Sequence, residues 1–157
     1  MGADQVFDDR ITTYGRLIEA QRRLDQALAA TYARFSLTAS WFEALLRIRR
    51  SPSERLRMCQ LADQMSISNG GATRLVDGLV GAGLAERAGD PTDRRVQLVT
   101  LTETGRRTLS DAVAAHLDDL DAQLFSRLDG VDVAELDRLL DQLRAPIAVE
   151  EAPTIES

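Results

Sequence analysis

One cysteine, Cys59, excludes an internal disulfide and any cysteine-based zinc cluster, and one histidine, His116, argues against a His-rich metal centre. No stretch is long or apolar enough to span a bilayer, and the start, MGADQVFDDR, lacks the basic and apolar regions of a signal peptide. A cytoplasmic protein with no membrane partner is therefore expected. No convergent nucleophile, base and oxyanion donors can be assembled, nor any metal-ligand set, so neither an enzyme nor a cofactor is expected. Lysine is absent altogether: all 19 basic side chains are arginine, which suits bidentate contacts to phosphate and guanine, although GC-rich coding would leave the same mark.

What is present is one domain's length of chain with an ordinary apolar fraction and a net charge of −6. The charge is unevenly spread. Leu37 to Thr108 holds 11 arginines against 8 acids, whereas Leu109 to Ser157 holds 3 against 12. The most informative stretch, Leu61 to Gly105, lies within the positive part.

That stretch reads as two short helices, a hairpin and a capped helix start. The first helix ends at Met65, Ser66–Ile67–Ser68 supplies a tight turn, and Ser68 is placed to cap the second helix. This is the arrangement of a helix-turn-helix. In the second helix Ala72, Leu75, Val76, Leu79 and Val80 recur at three- and four-residue spacing and are expected to face a core. The opposite stripe, Gly70, Thr73, Arg74 and Asp77, carries little bulk at its start and polar groups further along, as a groove-facing surface would. Glycine inside a helix costs roughly 1 kcal/mol relative to alanine. At Gly70 and Gly71 that cost is offset if the helix N-terminus must approach a phosphate or a base edge, while simple tolerance in a first turn is the other reading.

Gly83 is expected to end the helix in the left-handed conformation, and LAERA and RVQLVTL are strand candidates. Between them Gly89, Asp90, Pro91 and Asp93 are turn formers, which puts Arg94 and Arg95 at or just past a hairpin tip. Such a pair is ordinarily a solvated surface. After a helix-turn-helix it also stands where a wing inserts a guanidinium into the minor groove, with Asp93 holding one arginine in place.

These residues resemble the MarR-type regulators of bacteria, whose wing carries an Asp-x-Arg element, a strand and a Leu-Thr-x-x-Gly turn. Here that reads Asp93, Arg94, Arg95, then VQLVT, then Leu101-Thr102-Glu103-Thr104-Gly105. The resemblance covers most of the chain, from the helix before Trp41 to the last leucine-rich helix. It implies a mainly α fold with a small β-hairpin wing: a winged helix-turn-helix between long N- and C-terminal dimerisation helices. It also implies a homodimer binding double-stranded DNA, with Ser68, Asn69, Gly70, Gly71, Thr73 and Arg74 at the recognition helix, Arg95 in the minor groove and Asp93 its partner. A small phenolic or anionic effector that lowers DNA affinity is a further implication.

The flanks are consistent with that plan. Phe7, Ile11, Tyr14 and Ile18, then Leu17, Leu24, Leu28, Tyr32 and Phe35, follow helical spacing. Thr102 is expected to cap a helix whose stripe runs Leu109, Val113, Leu117, Leu120, Leu124, Leu128. Asp132 with Glu135 resembles a capping box opening a final helix that Pro146 stops. The organisation expected is a dimerisation helix over 1–36, the winged unit over 37–108, dimerisation helices over 109–146 and a flexible acidic tail over 147–157.

Tyr32, Phe35, Trp41 and Phe42, at the junction between the first helix and the winged unit, are candidate effector contacts, with His116 a further one. Aromatics at helical spacing are more often core than pocket, and a lone histidine is most often structural. Cys59 sits near a helix start, where the dipole lowers a thiol's pKa; the redox reading competes with that of a buried small residue at a cap. The alternatives to a ligand-responsive repressor are thus a protein-interaction winged helix and a regulator sensing oxidants through Cys59.

Overall fold

The structure is a computed structural model that describes residues 4–90 and 96–143. It is mainly helical, with a three-stranded antiparallel sheet in the order β1-β3-β2. A single turn of 3-10 helix at Asp4–Phe7 leads into α1, Asp9–Arg34, whose first turn is capped by the Asp8 carboxylate accepting from Arg10 N. The long helix expected from the apolar spacing is therefore continuous. Its last turns bury Leu28, Thr31 and Tyr32, while Ile11, Tyr14 and Leu17 are exposed.

Helix α2, Ala39–Arg50, starts at Thr38, whose hydroxyl accepts from Trp41 N at 3.1 Å. After Pro52–Glu54 the chain makes a three-residue strand, β1, Arg55–Arg57, that the sequence reading did not include. It pairs with β3 so that Leu56 lies opposite Val99 and points into the core. The strand runs straight into α3, Met58–Met65, with Arg57 at the cap position and its N–H donating to Gln60 Oε1. This corrects the expectation for Cys59. The thiol is the second residue inside α3 and is exposed, because Leu61 and Ala62 take the inward face.

Ser66 turns the chain in the left-handed conformation, φ 53°, and α4, Asn69–Gly81, follows. Ala72, Val76 and Leu79 are buried as expected, but Val80 is 38% exposed, since it lies at the edge of the inward stripe. Gly83, at φ 71°, reverses the chain into β2, Ala85–Gly89, and β3, Gln97–Leu101, returns antiparallel to it. Thr102 then opens α5, Glu103–Gln123, accepting from Gly105 N at 3.0 Å. The same residue ties the two halves of the winged unit together: its hydroxyl donates to the Gly83 carbonyl at 2.6 Å and its N–H to Leu84 O at 3.1 Å.

Two expectations for the C-terminal helices are corrected. The stripe does not continue through Leu124 and Leu128, because α5 ends at Gln123 and a 3-10 turn at Phe125–Arg127 redirects the chain. Helix α6, Gly130–Leu143, is opened not by Asp132 with Glu135 but by Asp129, whose carboxylate accepts from Val131 N and Asp132 N at 2.8 Å each. Asp132 reaches back to Asp129 N, and Glu135 instead binds Arg138. Pro146 and the acidic tail lie outside the described residues.

The core joins α2, α3, α4 and the sheet to the end of α1 and the start of α5; Leu45, Ile48, Leu61, Val76, Leu79, Val99 and Leu101 are its largest fully buried side chains. Helix α6 buries nothing. Among the described residues no helix is long and apolar enough to cross a membrane.

Candidate nucleic-acid interface and the junction behind it

Helix α4 presents its N-terminus and one face outward for local reasons. Ser68 satisfies the Gly71 N–H at 3.1 Å, which fixes the start of the helix. Asn69, Gly70, Thr73 and Arg74 are exposed along the face opposite Val76 and Leu79, and no atom lies within 4 Å of the place a Gly70 Cβ would take. Gly71 is half-buried: a Cβ there would sit 3.3 Å from Ser68 Oγ and 3.6 Å from Ile67 Cβ. Its missing side chain therefore eases the turn rather than the outer surface. The Thr73 hydroxyl donates to Asn69 O at 2.9 Å, leaving its lone pairs outward. Asp77, further along the face, accepts from Arg87 of β2 at 2.7 Å.

The wing candidates Asp93, Arg94 and Arg95 lie outside the described residues. The hairpin that carries them is closed by Asp90 N donating to Val96 O at 3.1 Å, and Asp90 also faces Arg57 at 3.7 Å.

Ion pairing decides which arginines of the positive segment remain for an outside anion. Arg47 is held by Glu43 at 2.9 Å, and Glu54 takes both Arg49 and Arg106. Arg57 and Arg87 have the carboxylates just described, and Arg107 lies 4.0 Å from Glu103. Arg50, Arg55 and Arg74 have no carboxylate partner among the described residues, and all three are exposed. Arg74 is the one on α4.

Behind this surface three of the five effector candidates meet. The Tyr32 ring stacks on Phe42 with centroids 4.7 Å apart, and the His116 ring lies 4.9 Å from Phe42 and 5.6 Å from Tyr32. Tyr32 Oη and His116 Nδ1 are 3.2 Å apart and hydrogen-bonded. Beside them the buried Thr31 hydroxyl donates to the Asp119 carboxylate. Neither residue was singled out in the sequence; short polar side chains on an apolar helix face give no spacing signal. Burial lowers the His116 pKa from its usual value against the opposing pull of Asp119. Burial also raises the Tyr32 phenol, with Asp25, Glu43 and Asp119 acting in the same direction. Both rings are therefore neutral near pH 7.

The other two candidates lie elsewhere. Phe35 is half-buried with the Arg34 guanidinium 5.7 Å from its centroid. Trp41, also half-buried, lies against α4 at Gly78. Among the described residues no group of histidine, cysteine and carboxylate side chains is arranged to hold a metal ion.

Comparison with known proteins accounts for this arrangement. The MarR family profile matches residues 35–96. The multiple antibiotic resistance protein MarR of Escherichia coli is 30% identical over 136 residues, 86% of this chain and 93% of that protein. The fold superposes on AbsC, a MarR family transcriptional regulator from Streptomyces coelicolor, with a TM-score of 0.81 and 26% identity over 87% of this chain and 92% of that one. It superposes on mutant MarR from E. coli complexed with operator DNA with a TM-score of 0.76 and 30% identity over 88% and 97%. With this identity sustained across nearly the whole of a curated relative, the chain belongs to the MarR family of transcriptional regulators.

Proposed function

We propose that this regulator, which like its family is not an enzyme, binds a pseudo-palindromic operator as a homodimer and is released from it by a small phenolic or anionic effector. The observation that carries the reading is the outer face of α4: an open start at Gly70, a capped and fixed N-terminus at Ser68, and Arg74 without a carboxylate partner among the described residues. A helix so presented fits a major groove, where Asn69, Thr73 and Arg74 meet base edges and phosphates while Gly70 lets the backbone come close. Likeness to a relative solved in complex with operator DNA supports DNA as the partner. Arg95, with Asp93 and Arg94 beside it, serves as the minor-groove element of the wing.

What one copy leaves uncovered supports the homodimer. Ile11, Tyr14 and Leu17 of α1 and Val131, Leu140 and Leu143 of α6 are exposed apolar side chains on the elements flanking the winged unit. A second copy covering them places two α4 helices for half-sites about one helical turn, roughly 34 Å, apart. The effector acts at the Tyr32–Phe42–His116 junction. It lowers DNA affinity only to the extent that it binds the non-DNA geometry more tightly.

The test is anisotropy titration of the duplex upstream of the protein's own gene against a scrambled duplex, over several salt concentrations, with Arg95→Ala in parallel. Sequence-preferring binding with a log–log salt slope of about −0.9 per neutralised phosphate is expected. Arg95→Ala should weaken it by about 1–3 kcal/mol without changing thermal stability or oligomeric state. Equal, weak binding of both duplexes, repeated on fragments from a genome-wide selection, would favour a winged helix that docks a protein.

A further inference from the structure

Gly78 is a glycine inside α4 that no turn explains, since its backbone is helical. Nor does it belong to the open start of the helix. It is half-buried, and a Cβ built on it would lie 2.7 Å from Trp41 Cζ2, 3.3 Å from Cε2 and 3.5 Å from Nε1. The indole occupies the space that any other residue's side chain would need. Glycine is a poor helix residue because of the backbone freedom it loses, so a notch in mid-helix calls for a compensating contact, and Trp41 supplies it.

The two sides of this contact lead to different parts of the molecule. Trp41 lies in the first turn of α2, pinned by its N–H to Thr38, and the next residue, Phe42, carries the stack with Tyr32 and His116. On α4 the residue before Gly78 is Asp77, which holds Arg87 of β2 at 2.7 Å. The Trp41–Gly78 contact thus joins α2, one residue from the Phe42 stack, to α4, one residue from the ion pair linking recognition helix and hairpin.

We propose that Trp41, seated in the Gly78 notch, is a positioning residue that sets how far the recognition helix stands from the α1–α2–α5 junction, and so which half-site spacing the dimer accepts. This rests on the reading of the chain as a dimeric operator binder. A thicker plug pushes α4 outward as a body, because the packed interior transmits a displacement of this size rather than absorbing it. A smaller plug lets α4 settle inward.

The experiment uses an operator selected with the wild-type protein and two further duplexes with the half-sites one base pair closer and one farther apart. Gly78→Ala should lose about tenfold affinity for the selected spacing and shift its preference to one of the altered duplexes. Trp41→Leu in the same background should restore the original order, and Trp41→Leu alone should shift the preference toward the other altered duplex. Trp41 is the only tryptophan, so its emission reports the notch directly, and in Gly78→Ala it should move toward that of a water-exposed indole. Loss that is uniform over all three duplexes in both single variants, or an unchanged emission in Gly78→Ala, overturns the proposal. If Gly78→Ala fails to fold, the Trp41→Leu spacing profile decides the matter alone. A wild-type protein that selects no duplex at all sinks the operator reading and this inference with it, whereas a wild type that binds with variants that keep its profile sinks only the inference.

Discussion

His116 shows how a single residue type gains meaning from its surroundings. A lone histidine on a helical stripe carries no signal of its own, yet here it closes an aromatic cluster with Tyr32 and Phe42 and is held neutral by burial. Its folded-state pKa lies below the ordinary 6.5, so as pH falls the unfolded chain takes the proton first. The stability tied to the neutral ring is therefore complete above that ordinary value and lost as pH drops from it toward the lower folded value. Urea midpoints followed from neutral to mildly acid pH should show this decline in the wild type and lack it in His116→Asn. Thr31→Val, which strips the half-buried Asp119 carboxylate of the buried hydroxyl that donates to it, should cost about 1–3 kcal/mol in the same assay. Cys59→Ser, at an exposed position, should stay within about 0.5 kcal/mol of the wild type. The residue types were legible in the sequence, and their company was not: Tyr32, Phe42 and His116 converge only because α1, α2 and α5 pack together, while Trp41 turns to α4.

At the scale of elements, caps and periodicity were the readable signals. Ser68 and Thr102 start their helices as their sequence contexts predict, and Gly83 ends α4 at positive φ. Ser68→Ala should lower stability by about 1 kcal/mol, seen as a fall in thermal midpoint, and weaken DNA binding further by loosening the first turn of α4. Gly105→Ala should be more damaging still, because a Cβ there would overlap the Leu84 carbonyl; a midpoint within a degree of wild type would contradict that packing. What escaped the sequence had physical causes. Strand β1 has one inward residue, Leu56, too few for an alternating pattern, and it exists because β3 offers a free edge. The leucine repeat runs on past Gln123 although the helix does not, since spacing alone does not register a backbone turn. The sequence does not single out Asp129 as the cap of α6, because Asp132 and Glu135 present the same spacing three residues later.

For the whole molecule, the exposed apolar side chains of α1 and α6 predict that Leu140→Asp or Val131→Asp yields a folded monomer by sedimentation with sharply reduced operator affinity. The winged unit should keep its helical signal, because its core includes no residue of α6.

The segregation of charge has a consequence in time as well as in place. The winged segment carries the excess of arginine, while α5 and α6 display Asp111, Asp118, Asp121, Asp137 and Asp141 to solvent. Such a molecule has a positive and a negative end, and the field of a duplex turns it before the two touch. An approach with the acidic helices foremost is repelled, so collisions are sorted by orientation and a larger share arrive with the winged unit leading. Neutralising acids on α5 and α6 would lift that repulsion and speed encounters of every orientation, giving up the sorting, while changing the rate of escape much less.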